Sequence, residues 1–156
     1  MRIMKTKVYP FDELSEDAKD KVIENLWDIN IFHEWWEVTY EDAENVGIKI
    51  TSFDIDRGSY CKGDIDDAID TARAILKEHG DKCETWQTAK DFHDAVAKDG
   101  EDTDDFEILC SEFKYSILED YRIILQKEYE HLTSRETIIE SIKINEYEFT
   151  EDGKIT

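Results

Sequence analysis

The sequence predicts an α+β fold: a small antiparallel β-sheet packed against several α-helices, including one long C-terminal helix. Three observations predict it. Apolar residues recur at helical spacing in six separate segments. Alternation typical of strands is confined to the two ends and to one central run, Ile48 to Asp56. A single proline, Pro10, and six glycines leave no long linker and little room for irregular structure. At 156 residues the chain suits one acidic α+β domain spanning residues 1–156, large enough to bury a core.

Lys5 to Tyr9 reads as a short strand that Pro10 stops, because proline lacks a backbone donor. Ser15 is placed to cap a helix whose first turn carries Glu16 and Asp17. Leu14, Ala18, Val22, Leu26 and Ile29 give that helix one apolar face. A second helix is predicted from Glu34 to Val46. Trp35, Val38 or Thr39, Asp42 and Val46 lie on one side of it, with Trp36, Tyr40 and Ala43 on an adjacent one. Gly47 ends it in a left-handed cap. In the run that follows, the alternation of Ile48, Ile50, Phe53 and Ile55 slips by one residue. A β-bulge near Thr51 and Ser52 restores the register. Arg57, Gly58 and Ser59 read as a turn, and Tyr60 to Ile65 as the returning strand of a hairpin.

Helical spacing resumes through Ala68, Ile69, Ala72, Ile75 and Leu76 and closes at Gly80. The next helix spans Glu84 to Ala97 and buries Trp86, Ala89, Phe92 and Val96, with Gly100 beyond it. A long helix then runs from about Asp105 to His131 on a stripe that includes Phe106, Phe113, Ile117, Tyr121, Ile124 and Leu125. Thr133 and Glu136 form a capping box for a short helix through Ile138, Ile139 and Ile142. The tail reads as a hairpin around Asp152 and Gly153.

Charge is the strongest compositional signal. Forty Asp and Glu against nineteen Lys and Arg give a net charge of −21. This disfavours direct binding of nucleic acid, whose phosphates attract cations, and of an anionic membrane surface. It favours a basic protein partner, or else serves solubility alone. With 12% aromatic residues the chain has the large side chains that a core requires, unlike disordered acidic chains. The first residues lack an apolar signal segment and no stretch approaches transmembrane length, so a cytoplasmic location is expected. Cys61, Cys83 and Cys110 form no CxxC pair and are expected to be reduced and mostly buried.

Three groups of residues are candidates for function. Trp35 and Trp36, with Tyr40 one turn on, either fill a helix–sheet interface or leave one ring exposed as a recognition anchor. Asp54 and Asp56 share one strand face, with Arg57, Tyr60 and Lys62 around the turn. This group makes either an anion pocket or an ion-pair cluster that locks the hairpin. Asp99, Glu101, Asp102, Asp104 and Asp105 crowd one segment, as Asp12, Glu13, Glu16, Asp17 and Asp20 crowd another. A rigid row of carboxylates imitates the phosphates of nucleic acid; a solvated acidic loop is the plainer alternative. No metal or other cofactor is assigned, because the calcium-loop and HExxH patterns are absent. Nucleophile-elbow, P-loop and GxGxxG motifs are absent too, and no catalytic residue is assigned.

Several stretches carry a family resemblance. They are Phe11 to Glu16, Trp35-Trp36 with Tyr40 to Ala43, Gly47 to Ile50 with Phe53 to Cys61, and Tyr147 to Lys154. In these the chain resembles small acidic phage and prophage proteins often labelled as the antitoxin of a toxin–antitoxin stability system. The resemblance implies a phage origin and action in a bacterial cytoplasm. It carries no characterised activity. Together with the charge it leads to a non-enzymatic inhibitor of a basic, nucleic-acid-handling host protein, of anti-CRISPR, anti-restriction or other anti-defence type. Two other readings stand beside it. One is a nucleotide or small-anion binder using Trp35, Trp36, Arg57, Tyr60 and Lys62. The other is an antitoxin with a cognate toxin.

Overall fold

The computed structural model describes residues 7–156. Its architecture is α+β, with two small antiparallel pairs of strands and a long helix near the C-terminus. The residues group into two compact units. One comprises the chain up to Trp35 together with Glu128–Thr156, and the other comprises Trp36–Lys127.

In the first unit, β1 (Tyr9–Pro10) pairs antiparallel with β4 (Glu148–Phe149). Lys5 and Thr6 of the expected strand lie outside the described residues. Pro10 belongs to the strand instead of stopping it, opposite Glu148. The pairing is only two residues long and open on one side, where a missing N–H is tolerated. A 3-10 turn, Phe11–Glu13, leads to α1 (Glu16–Asn25), which Ser15 caps by accepting the Ala18 N–H at 3.2 Å. Phe11, Leu14, Ala18 and Val22 meet Ile138, Ile142 and Phe149 in one apolar cluster. The last three come from β4 and from α6 (Arg135–Ile144).

The cap of α6 is Ser134, one residue later than the predicted Thr133. Ser134 Oγ accepts the Thr137 N–H at 3.3 Å, while Thr133 Oγ1 turns back to donate to the Tyr129 carbonyl at 2.8 Å. Thr133 thus closes the preceding helix and its neighbour opens the next. The expected terminal hairpin contracts to a turn at Glu151 and Asp152 and a bridge between Phe149 and Ile155. The strand β4 takes β1 as its main partner.

In the second unit, α2 (Glu37–Asn45) starts three residues later than predicted, with Trp36 at its cap position. Its inner face holds Ala43, followed by Val46; of the two alternatives for the predicted side, Val38 is 75% exposed and Thr39 is half-buried. Gly47 follows at φ +89°, and a Cβ there would sit 2.7 Å from Thr71 Oγ1. Conformation and space both require glycine at this position. The strands β2 (Ile48–Asp54) and β3 (Tyr60–Ile65) form the predicted hairpin, with the bulge between Ile50 and Ser52.

Three helices complete the second unit. The first is α3 (Ala68–Glu78), whose cap Asp67 accepts the N–H groups of Ile69 and Asp70. The second is α4 (Glu84–Asp99), stopped by Gly100 at φ +82°. Trp86 and Val96 are half-buried on it, where burial was expected. The third is the N-terminal part of α5 (Asp105–Leu132). Phe113, Ile117, Leu118 and Tyr121 of α5 join Ile48, Ile50, Ala72, Ile75, Ala89 and Phe92 in a second core. Leu118 is buried here and Ile124 is 38% exposed, the reverse of the predicted stripe at that point. No helix among the described residues is long and apolar enough to cross a membrane.

The shifted cap gives a direct test. Ser134→Ala removes the hydroxyl that accepts at the start of α6 and should destabilise the protein by about 1 kcal/mol in urea unfolding. Thr133→Ala leaves that cap intact and should cost less.

Candidate functional site

The predicted candidates occupy separate places. Trp35 and Trp36 are both half-buried, and neither lies within a helix. Trp35 packs against Tyr129 in the first unit, with ring centroids 5.8 Å apart. Trp36 packs edge-on against Phe53 at 5.8 Å in the second, and Tyr40 meets the same ring at 6.1 Å. The two indoles thus have different ring partners, Tyr129 and Phe53.

At the hairpin tip, Asp54 is the last residue of β2, and Asp56 lies beyond the strand. The two carboxylates therefore do not share a strand face as expected. Asp54 Oδ1 instead accepts the Asp56 N–H at 2.8 Å, closing a local turn. The ammonium of Lys62 sits 4.8 Å over the Tyr60 ring, a cation–π contact. Among the described residues no ion pair joins Arg57 or Lys62 to either aspartate, so the expected ion-pair cluster does not form.

The acidic segment is more coherent. Asp99 ends α4, Glu101, Asp102 and Asp104 lie in the connection, and Asp105 and Glu107 open α5. All six side chains are exposed. No Lys or Arg occurs from Asp99 to Phe113. Glu101 also lines a cleft of about 690 Å³ together with Asp66, Asp67 and Asp70 from the start of α3. The fold thereby sets carboxylates from distant parts of the sequence around one recess. The same cleft holds Arg73 and Lys114, and Lys114 Nζ is 3.9 Å from Asp64.

A second polar cluster was not anticipated. Tyr121 is fully buried and its hydroxyl donates to Asp42 Oδ2 at 3.0 Å. His79 Nε2 lies 3.3 Å from the same oxygen, without hydrogen-bond geometry. The other ring nitrogen, Nδ1, is 2.7 Å from Thr85 Oγ1. Close by, Asp120 accepts from the Thr88 hydroxyl. Burial holds the Asp120 carboxyl above the usual range, opposed by that hydrogen bond and assisted by Glu84 and Glu119. These residues lie 79 and 32 positions apart in the pairs they form, so no local motif announces them.

The thiols differ sharply. Cys61 is half-buried, and burial together with Glu119 pushes it up to about 11. Burial, then Asp67 and Glu107, raises Cys110 as well. Cys83 is exposed at the cap position of α4, where a buried thiol was expected. Among the described residues no group of three or more His, Cys, Asp or Glu side chains is arranged to hold a metal ion.

No protein-family model, curated protein or solved structure matches the chain. The candidate site therefore rests on geometry, and the acidic cleft is its most developed part.

Two outcomes follow from the titrating groups. Thiol labelling near neutral pH should show one fast phase, abolished by Cys83→Ser, and two slow ones, since the thiolate is the reactive form. Asp120→Asn should stabilise the fold at pH 7. A carboxyl raised in the folded state favours the protonated native form, so its destabilising effect sets in as pH rises from the unfolded value through the folded one. The gain should be under about 1 kcal/mol, because the group remains partly solvated. It should vanish below about pH 4, as pH-dependent urea unfolding would show.

Proposed function

We propose that this protein is a phage-encoded inhibitor that docks its acidic face onto the basic, nucleic-acid-binding surface of a host protein. One observation carries the reading. The exposed carboxylates from Asp99 to Glu107 are interrupted by no Lys or Arg, and Glu101 among them lines one cleft with Asp66, Asp67 and Asp70. A surface of this kind raises the local concentration of a cationic partner and speeds encounter. It competes with nucleic acid because both present closely spaced negative charge to the same basic groove. The resemblance to small acidic phage proteins supports the biological setting.

A solubilising role alone calls for no such arrangement. Charges spread evenly over the surface would serve it equally well, and a mixture of signs would avoid the mutual repulsion. Asp99 also stands at the C-terminal end of α4, where the helix dipole disfavours an anion.

The test is capture from nuclease-treated bacterial lysate on immobilised protein. Retained proteins should be nucleic-acid binders, and both added duplex DNA and moderate salt should release them. The triple variant Glu101→Gln, Asp102→Asn and Asp104→Asn should slow association with a captured partner about ten-fold. Captured proteins that ignore DNA, salt and the triple variant would refute the reading.

A further inference from the structure

The acidic cleft does not end at its carboxylates. It adjoins a second recess of about 300 Å³, and Ile69, Arg73 and Glu101 line both. The second recess has a different chemistry. Its walls come from Ala72 of α3 and from Phe92, Val96 and Ala97 of α4, all apolar. Phe92 and Ala72 are part of the core, so the recess opens directly over it. His93 stands at its edge with Nδ1 making no hydrogen bond.

Two compartments therefore meet at three shared residues, one rimmed by carboxylates and the other lined mainly by apolar side chains, with His93 beside them. Among the described residues neither Arg73 nor Glu101 is in an ion pair, so no salt bridge closes the passage between them. Gly100, which also lines the apolar recess, leaves open space beside it: a Cβ there would meet nothing within 4 Å.

We propose that the joined clefts bind a basic peptide segment of the partner, with one large apolar side chain seated in the apolar recess and flanking Lys or Arg side chains among Asp66, Asp70 and Glu101. The inference rests on the inhibitor reading and makes it more specific. Charge complementarity fixes the sign of the occupant. Four carboxylates line the larger cleft against Arg73 and Lys114, in a chain of net charge −21. The apolar recess fixes the anchor. It accommodates a Leu, Ile or Phe side chain against Ala72, Phe92, Val96 and Ala97, where burial of apolar surface favours such a side chain. An anchor ringed by charge is also the usual anatomy of a protein interface, whose centre is apolar and whose rim is polar.

The experiment uses the full chain and two fluorescein-labelled peptides, an oligo-lysine with one central leucine and the same peptide with serine there. Fluorescence polarisation at low salt should show the leucine peptide binding at least about ten-fold tighter. Ala97→Trp fills the recess from an exposed helix position and should erase that difference while both peptides still bind. Amide shifts in the wild-type NMR spectrum supply a readout that needs no variant. Leucine-specific shifts should cluster at Ile69, Ala72, Val96 and Gly100. Equal affinity for the two peptides, with salt-sensitive binding of both, overturns the anchor and leaves the acidic face standing. Failure of both peptides to bind at low salt overturns the acidic face as well. If those amides shift on simple dilution of a self-associating protein, a second copy of the chain occupies the recess and the proposal falls.

Discussion

The second unit is built around a single carboxylate oxygen. Asp42 Oδ2 receives the hydroxyl of the fully buried Tyr121 and stands 3.3 Å from His79 Nε2, whose ring reaches Thr85 on its other side. A buried hydroxyl without a partner would cost on the order of 1–3 kcal/mol, so α5 docks only in the register that delivers the phenol to Asp42. His79 follows α3 and Thr85 lies in the first turn of α4. Four helices are thus indexed to one side chain. Burial, then the Asp42 charge, pushes the Tyr121 phenol far upward, so it remains a donor throughout the neutral and mildly alkaline range. Dispersion and apolar burial hold the core together, but they tolerate sliding; this oxygen does not.

That arrangement constrains where the remaining charge can go. Of the 40 acidic residues, Asp42 and the half-buried Asp120 accept hydrogen bonds from Tyr121 and Thr88. Others serve helix starts, where the dipole favours them: Glu16 and Asp17 in α1, Asp67 as the cap of α3, Asp105 and Glu107 in α5. Asp104 directly precedes α5, where the dipole favours it too, whereas Asp99, Glu101 and Asp102 have neither task. They end or follow α4 and add repulsion to a crowded segment. Stability does not account for them, which is why they carry the functional argument.

The elements were legible wherever the signal was local. Ser15, Gly47 and Gly100 marked helix ends because caps and left-handed turns depend on one residue's own chemistry. The slip in alternation after Ile50 marked the bulge, since side-chain direction in a strand has a strict period of two. Errors arose where tertiary contacts decide. Thr133 and Ser134 are equally good caps on paper, and only the path of the preceding helix assigns the hydroxyls. The pairing of β4 with β1 joins the two ends of the sequence, which no turn residue could announce. Trp35 and Trp36 read as one patch because they are adjacent, yet their ring partners, Tyr129 and Phe53, lie far apart in the chain. Of the site, Glu101 was legible as part of an acidic run. The apolar recess was not, since Ala72, Phe92 and Val96 in its walls have the spacing of any buried stripe.

The recess and the acidic run also constrain each other. A chain that needed only solubility would gain by filling a 300 Å³ hollow above its core, because a larger side chain at Ala97 or Gly100 would bury Phe92 and Val96 more completely. At Gly100 the positive φ argues for glycine independently, but Ala97 lies in regular helix, where larger residues are accepted. The small residue at Ala97 keeps apolar surface open beside carboxylates that repel one another, an arrangement unfavourable on both counts in the isolated protein. A cationic segment carrying an apolar side chain relieves both at once: its charges offset the repulsion, and its side chain removes the open surface from water.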